Sequence, residues 1–486
     1  MASILNRTGA RSGDIQNKVL YNLSVDKIVG FLNLDEKRTA KFLEVVSRPL
    51  LSADDIIFRQ DAISDFYNCD GLLSGLAGYF GKLSQLKKEY EFSKKEKMKY
   101  SVDPAVSDDV SLNTGLLQLD SFALKRLLIF VKTVYGFLCG FDLKSEALLN
   151  LKQSLGIISD SREYRTIMNI CSEFENIGSH SAVNFLLNVN TCGEITASRL
   201  ISQDSVKITE NTVKKKKRFF SKETEEEYPS SEYVRANTTS YRKTFSKPFS
   251  ELCELISGYI AQILRMYADI SSELQFYEVA AAYCRVLDTL GCGKKFPVFN
   301  ENGRTEIKGL RDLFLLLKNK GGCDVVPNDF EMTPQTNGTV IFGDNNSGKT
   351  VYLRSVGVCS LFAQSGLPVT ADYAALPCYR SFFSMFSDSG NSNSVKGMGR
   401  FEKEVSELSE IIGDISENSL ILFNEIFQST DYNEGAEALA VILNHISGLR
   451  GKWICVTHMR EIKNYLNDGT DYLMASENFR MIKTDD

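Results

Sequence analysis

Thr339-Val340-Ile341-Phe342, followed by Gly343-Asp344-Asn345-Asn346-Ser347-Gly348-Lys349-Thr350 and then Val351-Tyr352-Leu353-Arg354, decides how the rest of the chain is read. A β-branched apolar run predicts a strand, the glycine-bounded stretch a tight loop, and the residues after Thr350 a helix. That is the setting in which Gly-x-x-x-x-Gly-Lys-Thr cradles phosphate. Its physics is simple: backbone N–H groups converge on the anion, and the helix N-terminus adds partial positive charge. A lysine at position 349 can reach the outer phosphates, and the Thr350 hydroxyl can ligate Mg²⁺. The pattern alone also fits a Gly/Ser/Asn-rich surface loop. The strand before it and the helix after it select the phosphate-binding reading.

Composition sets the outer bounds. A chain of 486 residues with 43% hydrophobic and 24% charged residues is ordinary for a soluble globular protein, and holds about two to four domains at roughly 100–200 residues each. No apolar run reaches the length of a membrane span, and the first residues lack the apolar core of a secretory signal. The eleven cysteines form no CxxC pair, which suits reduced thiols and a cytoplasmic location rather than a disulfide framework or zinc site. A net charge of −6 argues against a broadly basic surface but leaves a local one open. The three histidines are His180, His445 and His458, too few for a histidine-built metal site.

Along the chain, 1–19 is polar and is expected to be disordered. Helical periodicity runs through 20–86, broken at Pro49, with Ser52 or Asp54 available to cap the next helix. Residues 87–115 read as an exposed connection, and helical spacing returns over 116–151 and 163–175. Phe185–Asn190 and Asp204–Thr209 have strand composition. Residues 214–247 interleave Lys214–Arg218, Phe219, Phe220, Tyr233, Arg235, Tyr241 and Arg242 with acids such as Glu225–Glu227. Such a stretch fits either a nucleic-acid contact or a solvated loop, and spacing leaves both open. One long helix is expected over 249–290, about 60 Å long at 1.5 Å per residue. From 294 onward strands and helices alternate, as in an α/β nucleotide-binding domain. The expected division is 20–186 helical core or lever, 187–248 clamp-like insertion, 249–293 returning lever helix and 294–486 α/β domain.

Two further strand ends carry chemistry. Ser419-Leu420-Ile421-Leu422-Phe423 delivers Asn424 and Glu425 to the carboxyl end of a buried strand, where α/β ligand sites lie. In that position a first residue holds Mg²⁺ and a following glutamate orients or deprotonates water. Asn424 brings no charge, so Mg²⁺ should be held more weakly than by an aspartate. Trp453-Ile454-Cys455-Val456-Thr457-His458 is a second apolar run ending in polar residues, and His458 is a candidate γ-phosphate sensor.

Taken in this order, the motifs resemble those of the MutS family of DNA-repair ATPases. Asn345, Gly348-Lys349-Thr350, Tyr352-Leu353-Arg354, Val356-Gly357 and Ala363-Gln364-x-Gly366 follow its P-loop pattern. Val326-Pro327-Asn328-Asp329 is similar to its VPND segment, Asn424-Glu425-Ile426 through Thr430 and Gly435 to its DE(I/L)GRGTSTxDG, and Thr457-His458 to its TH. Arg48-Pro49-Leu50-Leu51 with Ile56, Arg59, Ala62, Ile63 and Phe66 is similar to the start of its helical lever, and Tyr277 with Ala280–Ala282 to the returning arm. The fold so implied is an α-helical lever with a small clamp-like β insertion, followed by a C-terminal α/β P-loop NTPase domain. The resemblance also implies ATP and Mg²⁺ as ligands, held by Gly343–Thr350, Asn328 and Gln364, with Thr350 and Asn424 at the metal and Glu425 and His458 catalytic. It further implies a homodimer, and structure-specific duplex or branched DNA as partner in mismatch repair or recombination. A ribosome-associated ATPase and a nucleotide-dependent scaffold with negligible hydrolysis are the alternatives. The sequence departs from the family pattern at Asp344, Ser347 and Asn424. Gly399 and Arg400 likewise stand in the places of Ser and Thr of GxSTFxxEM, before Phe401 and Glu404. The mismatch-reading and connector domains before the lever, and the helix-turn-helix after the ATPase, are expected to be absent.

Overall fold

The computed structural model describes residues 3–99, 110–175, 182–189, 195–204, 254–291, 295–320, 325–387, 400–428, 431–476 and 478–484. The basic and aromatic stretch 214–247, His180, Cys292, Cys323, Gly399 and Thr430 lie outside the described residues. The chain divides into two compact units. One comprises 1–2, 74–142 and 150–271, and the other 3–73, 143–149 and 272–486. No helix among the described residues is long and apolar enough to cross a membrane.

In chain order the first helices are α1 (Asn17–Asn22), α2 (Val25–Gly30), α3 (Glu36–Val46), α4 (Ala53–Asn68), α5 (Leu72–Lys99), α6 (Val110–Cys139), α7 (Glu146–Ser159) and α8 (Arg162–Glu175). A hairpin of β1 (Ala182–Val189) and β2 (Ile195–Asp204) follows, paired antiparallel. Helix α9 covers 254–267 and α10 Ile270–Thr289.

Several expectations are corrected here. Residues 87–99 are not a connection, because α5 continues through them for 28 residues in all. Lys and Glu are strong helix formers. Pairs at i,i+4 (Gln85 to Glu89 at 2.8 Å, Lys87 to Glu91 at 3.9 Å) line its wet face, while Leu83, Leu86 and Tyr90 stay buried. Periodicity over 116–151 resolves into α6 and α7, separated at 140–145. The second strand lies at Ile195–Asp204 and ends where the expected one began. The long helix over 249–290 is interrupted by a turn at 268–269, beside Asp269, Ser271 and Ser272, residues that compete with the helix for backbone hydrogen bonds. Ser52 does occupy the N-cap of α4, but its hydroxyl makes no capping bond.

Inside the first unit, a buried polar bolt joins α5, α6 and α9. The Tyr90 hydroxyl donates to Asp120 Oδ1 at 2.7 Å, Ser257 donates to Oδ2 at 3.1 Å, and Lys94 donates to Tyr90 and Ser257. Phe80 packs edge-on to Phe130, with ring centroids 5.3 Å apart.

The second unit holds the α/β part. Its remaining elements are β3 (Val298–Phe299), β4 (Thr305–Leu310), α11 (Leu313–Lys318), β5 (Asn328–Met332), β6 (Gly338–Phe342), α12 (Lys349–Gln364), β7 (Tyr373–Leu376) and β8 (Ser381–Phe386). Then come α13 (Arg400–Asp414), β9 (Ser419–Asn424), α14 (Tyr432–Gly448), β10 (Lys452–Val456), β11 (Thr470–Ala475) and β12 (Met481–Thr484). The main sheet has the order β12-β11-β6-β10-β9-β8 and is parallel except for β12. Every residue of β6 and β9 is buried, the continuous apolar pattern of strands covered on both faces. A smaller sheet runs β3-β7-β4-β5.

The N-terminal segment is not disordered from residue 3 onward. Ile4, Leu5 and Ile15 are buried. Ile4 N donates to Glu273 at 2.8 Å, and the Tyr277 hydroxyl donates to Ile4 O at 2.5 Å. Arg59, 2% exposed, donates to Leu5 O, Ser365 O and Asn6 Oδ1 at 3.2, 3.0 and 2.7 Å. It thereby ties that segment to the end of α12. Burial lowers the Arg59 pKa to about 10, with Tyr277, Glu273 and Asp55 opposing. The guanidinium still stays charged at neutral pH, and three acceptors answer its fork. A segment read as polar from its surface residues is thus held by its few apolar ones and by backbone carbonyls.

Candidate functional site

Strands β6, β10 and β9 are neighbours, and their carboxyl ends open on one side of the sheet. That is where ligands of open α/β sheets sit. After β6 the chain turns through Gly343 (φ 145), Asn346 (φ 66) and Gly348 (φ 88), with Gly348 as the N-cap of α12. An asparagine tolerates the left-handed region better than most residues, so the loop closes without a glycine at 346. Ser347, in place of glycine, is not among the residues with positive φ.

Lys349 is 4% exposed and its ammonium donates to Gly343 O at 2.7 Å and Asp344 O at 2.8 Å, bracing the loop. Burial pushes its pKa down, while the carboxylates of Glu425 and Asp344 push it back up. Thr350 donates its hydroxyl to Asn424 Oδ1 at 2.8 Å. The side chains assigned to Mg²⁺ from sequence therefore meet, and Asn424 is nearly buried. Glu425 follows β9 in a left-handed conformation (φ 55), its N–H donating to Val456 O at 2.9 Å. Its Oε1 lies 2.8 Å from His458 Nε2, a contact that becomes an ion pair on protonation of the imidazole but is out of line for a hydrogen bond. The Tyr432 hydroxyl donates to the carbonyl of His458.

Against this loop lies a cleft of about 740 Å³, lined by Asn345–Thr350, Glu425, Asn328, Asp312, Tyr352, Phe479 and Met481 among others. Its size is in the range of small-molecule sites. Ser347 Oγ is buried there with no hydrogen-bond partner, an orphaned polar atom of the kind a ligand satisfies. Asn328 faces the C-terminal hairpin: its amide donates to Phe479 O at 3.1 Å and its Oδ1 accepts from Met481 N at 2.8 Å. Asp312 caps α11 through Leu315 N at 2.7 Å and accepts from Ser355 at 2.9 Å, and burial raises its pKa.

Most residues expected from sequence come together: Asn328, Gly343–Thr350, Asn424, Glu425 and His458. Gln364 does not, and that assignment is corrected. It sits at the far end of α12, about 22 Å along the axis from Lys349. Fully buried, it donates to Leu50 O and Tyr379 O and accepts from Tyr379 N. Its amide locks loops together and is spent on backbone. Sequence reading missed Asp312, Tyr352, Phe479 and Met481. The first could be sought as an N-cap before Leu313–Leu317, whereas Phe479 and Met481 reach the cleft only through the pairing of β11 with β6 and β12.

The geometry is that of an α/β domain whose glycine loop, helix N-terminus and polar strand ends share one cleft. Residues 339–481 match the family model of MutS domain V. Endonuclease MutS2 of Alkaliphilus metalliredigens (strain QYMF) is 33% identical over 223 residues, covering 45% of this chain and 27% of that protein. Endonuclease MutS2 of Geobacillus sp. (strain WCH70) is 28% identical over 240 residues, 49% of this chain and 29% of the relative. That of Alkaliphilus oremlandii (strain OhILAs) is 36% identical over 170 residues, 35% and 21% respectively. Over this part of its length the chain is thus similar to MutS domain V and to MutS2 proteins. The matched part of the chain spans less than a third of the length of these relatives.

Proposed function

We propose that the chain is a MutS-like, ATP-dependent DNA-binding protein that binds Mg²⁺–ATP and hydrolyses it slowly. The observation that carries this reading is the convergence of Lys349, the Thr350–Asn424 pair and the Glu425–His458 pair at three adjacent strand ends beside one cleft. In this reading the backbone of Gly343–Thr350 and the Lys349 ammonium hold the phosphates. Thr350 and Asn424 hold Mg²⁺, which would supply charge neutralisation at the phosphates. Glu425 accepts a proton from, or orients, the attacking water, and His458, 2.8 Å from that carboxylate, senses the γ-phosphate. The cleft walls of Asn328, Tyr352 and Phe479 take the base. Nucleotide state would govern how a homodimer in the cytoplasm closes on duplex or branched DNA. The nuclease named in the MutS2 relatives is not part of the proposal, since the matched region is a small share of those proteins.

Asn424 favours a second reading, a nucleotide-dependent scaffold with negligible hydrolysis, because an amide adds no charge at the metal. One set of measurements separates the two. Wild-type protein should turn over ATP, with Glu425→Gln retaining nucleotide affinity but losing turnover by about a hundredfold or more, and Lys349→Ala losing binding. Unchanged turnover in Glu425→Gln would remove Glu425 from the chemistry. Binding without turnover in the wild type would select the scaffold. Gel-shift titrations with linear, mismatched and four-way DNA at moderate salt test the partner, and no shift with any of them rejects the DNA reading.

A further inference from the structure

The loop after β9 carries two non-glycine residues in the left-handed region, Glu425 at φ 55 and Phe427 at φ 63. For side chains of this size such a conformation is strained, and it persists only where surrounding contacts over-determine it. Two of the contacts on Phe427 come from one helix, α13. Glu404 of α13, 6% exposed, accepts from Phe427 N at 2.9 Å through Oε2. One turn earlier Phe401 lays its ring 5.2 Å from that of Phe427, which is 1% exposed. Ser387, after β8, donates its backbone N–H to Asn424 O at 3.0 Å and its hydroxyl weakly to Glu404 at 3.5 Å. On the other side Glu425 N is held by Val456 O. A carboxylate bond to a buried N–H is a strong, directional hold.

We propose that Glu404 is a positioning residue for Glu425. By capturing the Phe427 N–H, with Phe401 gripping the ring, α13 fixes the left-handed turn that presents the Glu425 carboxylate to the cleft and to His458. Glu404 itself touches no reacting atom. The inference rests on the reading of Glu425 as the residue that positions water.

The test compares full-chain wild type with Glu404→Ala and Glu404→Gln by amide hydrogen exchange across residues 424–428, ATP turnover and binding of a fluorescent ATP analogue. Glu404→Ala should speed exchange at Phe427 and cut turnover about tenfold to a hundredfold, with analogue affinity changed less than about threefold. Glu404→Gln, whose amide oxygen can accept the same N–H, should recover both readouts. Exchange and turnover in Glu404→Ala equal to wild type would overturn the proposal. So would a Gln variant as damaged as the Ala variant, which would make charge rather than the acceptor oxygen the requirement. Should Glu404→Ala fail to fold, Phe401→Ala loosens the same turn from the ring side and must also speed exchange over 424–428, or the proposal falls. If the wild type turns over no ATP, the hydrolytic reading fails by itself, and the exchange comparison still decides whether Glu404 holds the loop.

Discussion

Asn424 is where a single side chain sets the character of the site. Its Oδ1 takes the Thr350 hydroxyl at 2.8 Å, so the amide does the geometric work of a carboxylate without its charge. Asn424→Asp keeps the acceptor and adds a negative charge beside any cation held by Thr350. We expect the Mg²⁺ concentration for half-maximal ATP turnover to fall by roughly tenfold, the equivalent of about 1.4 kcal/mol. An unchanged Mg²⁺ dependence would exclude residue 424 from the metal's surroundings. Lys349, Thr350, Asn424, Glu425 and His458 were legible at this scale because each ends or follows an apolar run, and an apolar run followed by polar residues reads locally. Gln364 was misread for the complementary reason: its place in a motif does not say which end of a helix it occupies or what its amide meets.

Among the elements, β6 and β10 show how closely strands must fit. Gly338 pairs with Trp453 in register, and a Cβ at Gly338 would lie 2.0 Å from the indole. Trp453 is fully buried and donates its Nε1–H to Ser447 at 2.9 Å, so the ring has nowhere to go. Gly338→Ala should therefore destabilise the protein by about 1–3 kcal/mol, read as a lower midpoint in denaturant unfolding. A midpoint equal to wild type would mean that the strand relaxes freely. Nothing in Asn337-Gly338-Thr339 announces this constraint, because parallel register is fixed by residues more than a hundred positions apart. Helix and strand existence over 294–486 was readable from periodicity. The extension of α5 through 87–99 was not, since a charge-rich stretch looks like a loop until Tyr90 is seen to continue the buried stripe of Leu83 and Leu86.

For the whole molecule, the telling feature is the burial of Ile4, Leu5 and Ile15 within the second unit. Glu273, 7% exposed, accepts from Ser3 Oγ at 2.6 Å and Ile4 N at 2.8 Å, yet burial raises its pKa. The folded chain thus keeps this proton to higher pH than the unfolded chain, where a glutamate titrates near about 4.3. The stability tied to that proton is present below the unfolded pKa and is lost as pH rises through the folded one. Glu273→Gln cannot titrate, so unfolding free energies measured from about pH 4.5 to pH 7 should move in favour of the variant relative to wild type as pH increases. A difference independent of pH would show that Glu273 is ionised equally in both states.

The sequence alone determined the glycine loop, the three polar strand ends, the helical character of the first part and the α/β character of the last. Each is written in neighbouring residues, through side-chain periodicity and the backbone demands of a tight turn. Only the tertiary structure decided that Gln364 serves the backbone, that Ile4, Leu5 and Ile15 are core and that Phe479 joins the cleft wall. It alone also put Glu404 on the loop bearing Glu425. Those depend on which distant segments meet, and burial, register and unpaired hydrogen-bonding groups fix that choice only once the chain has closed on itself.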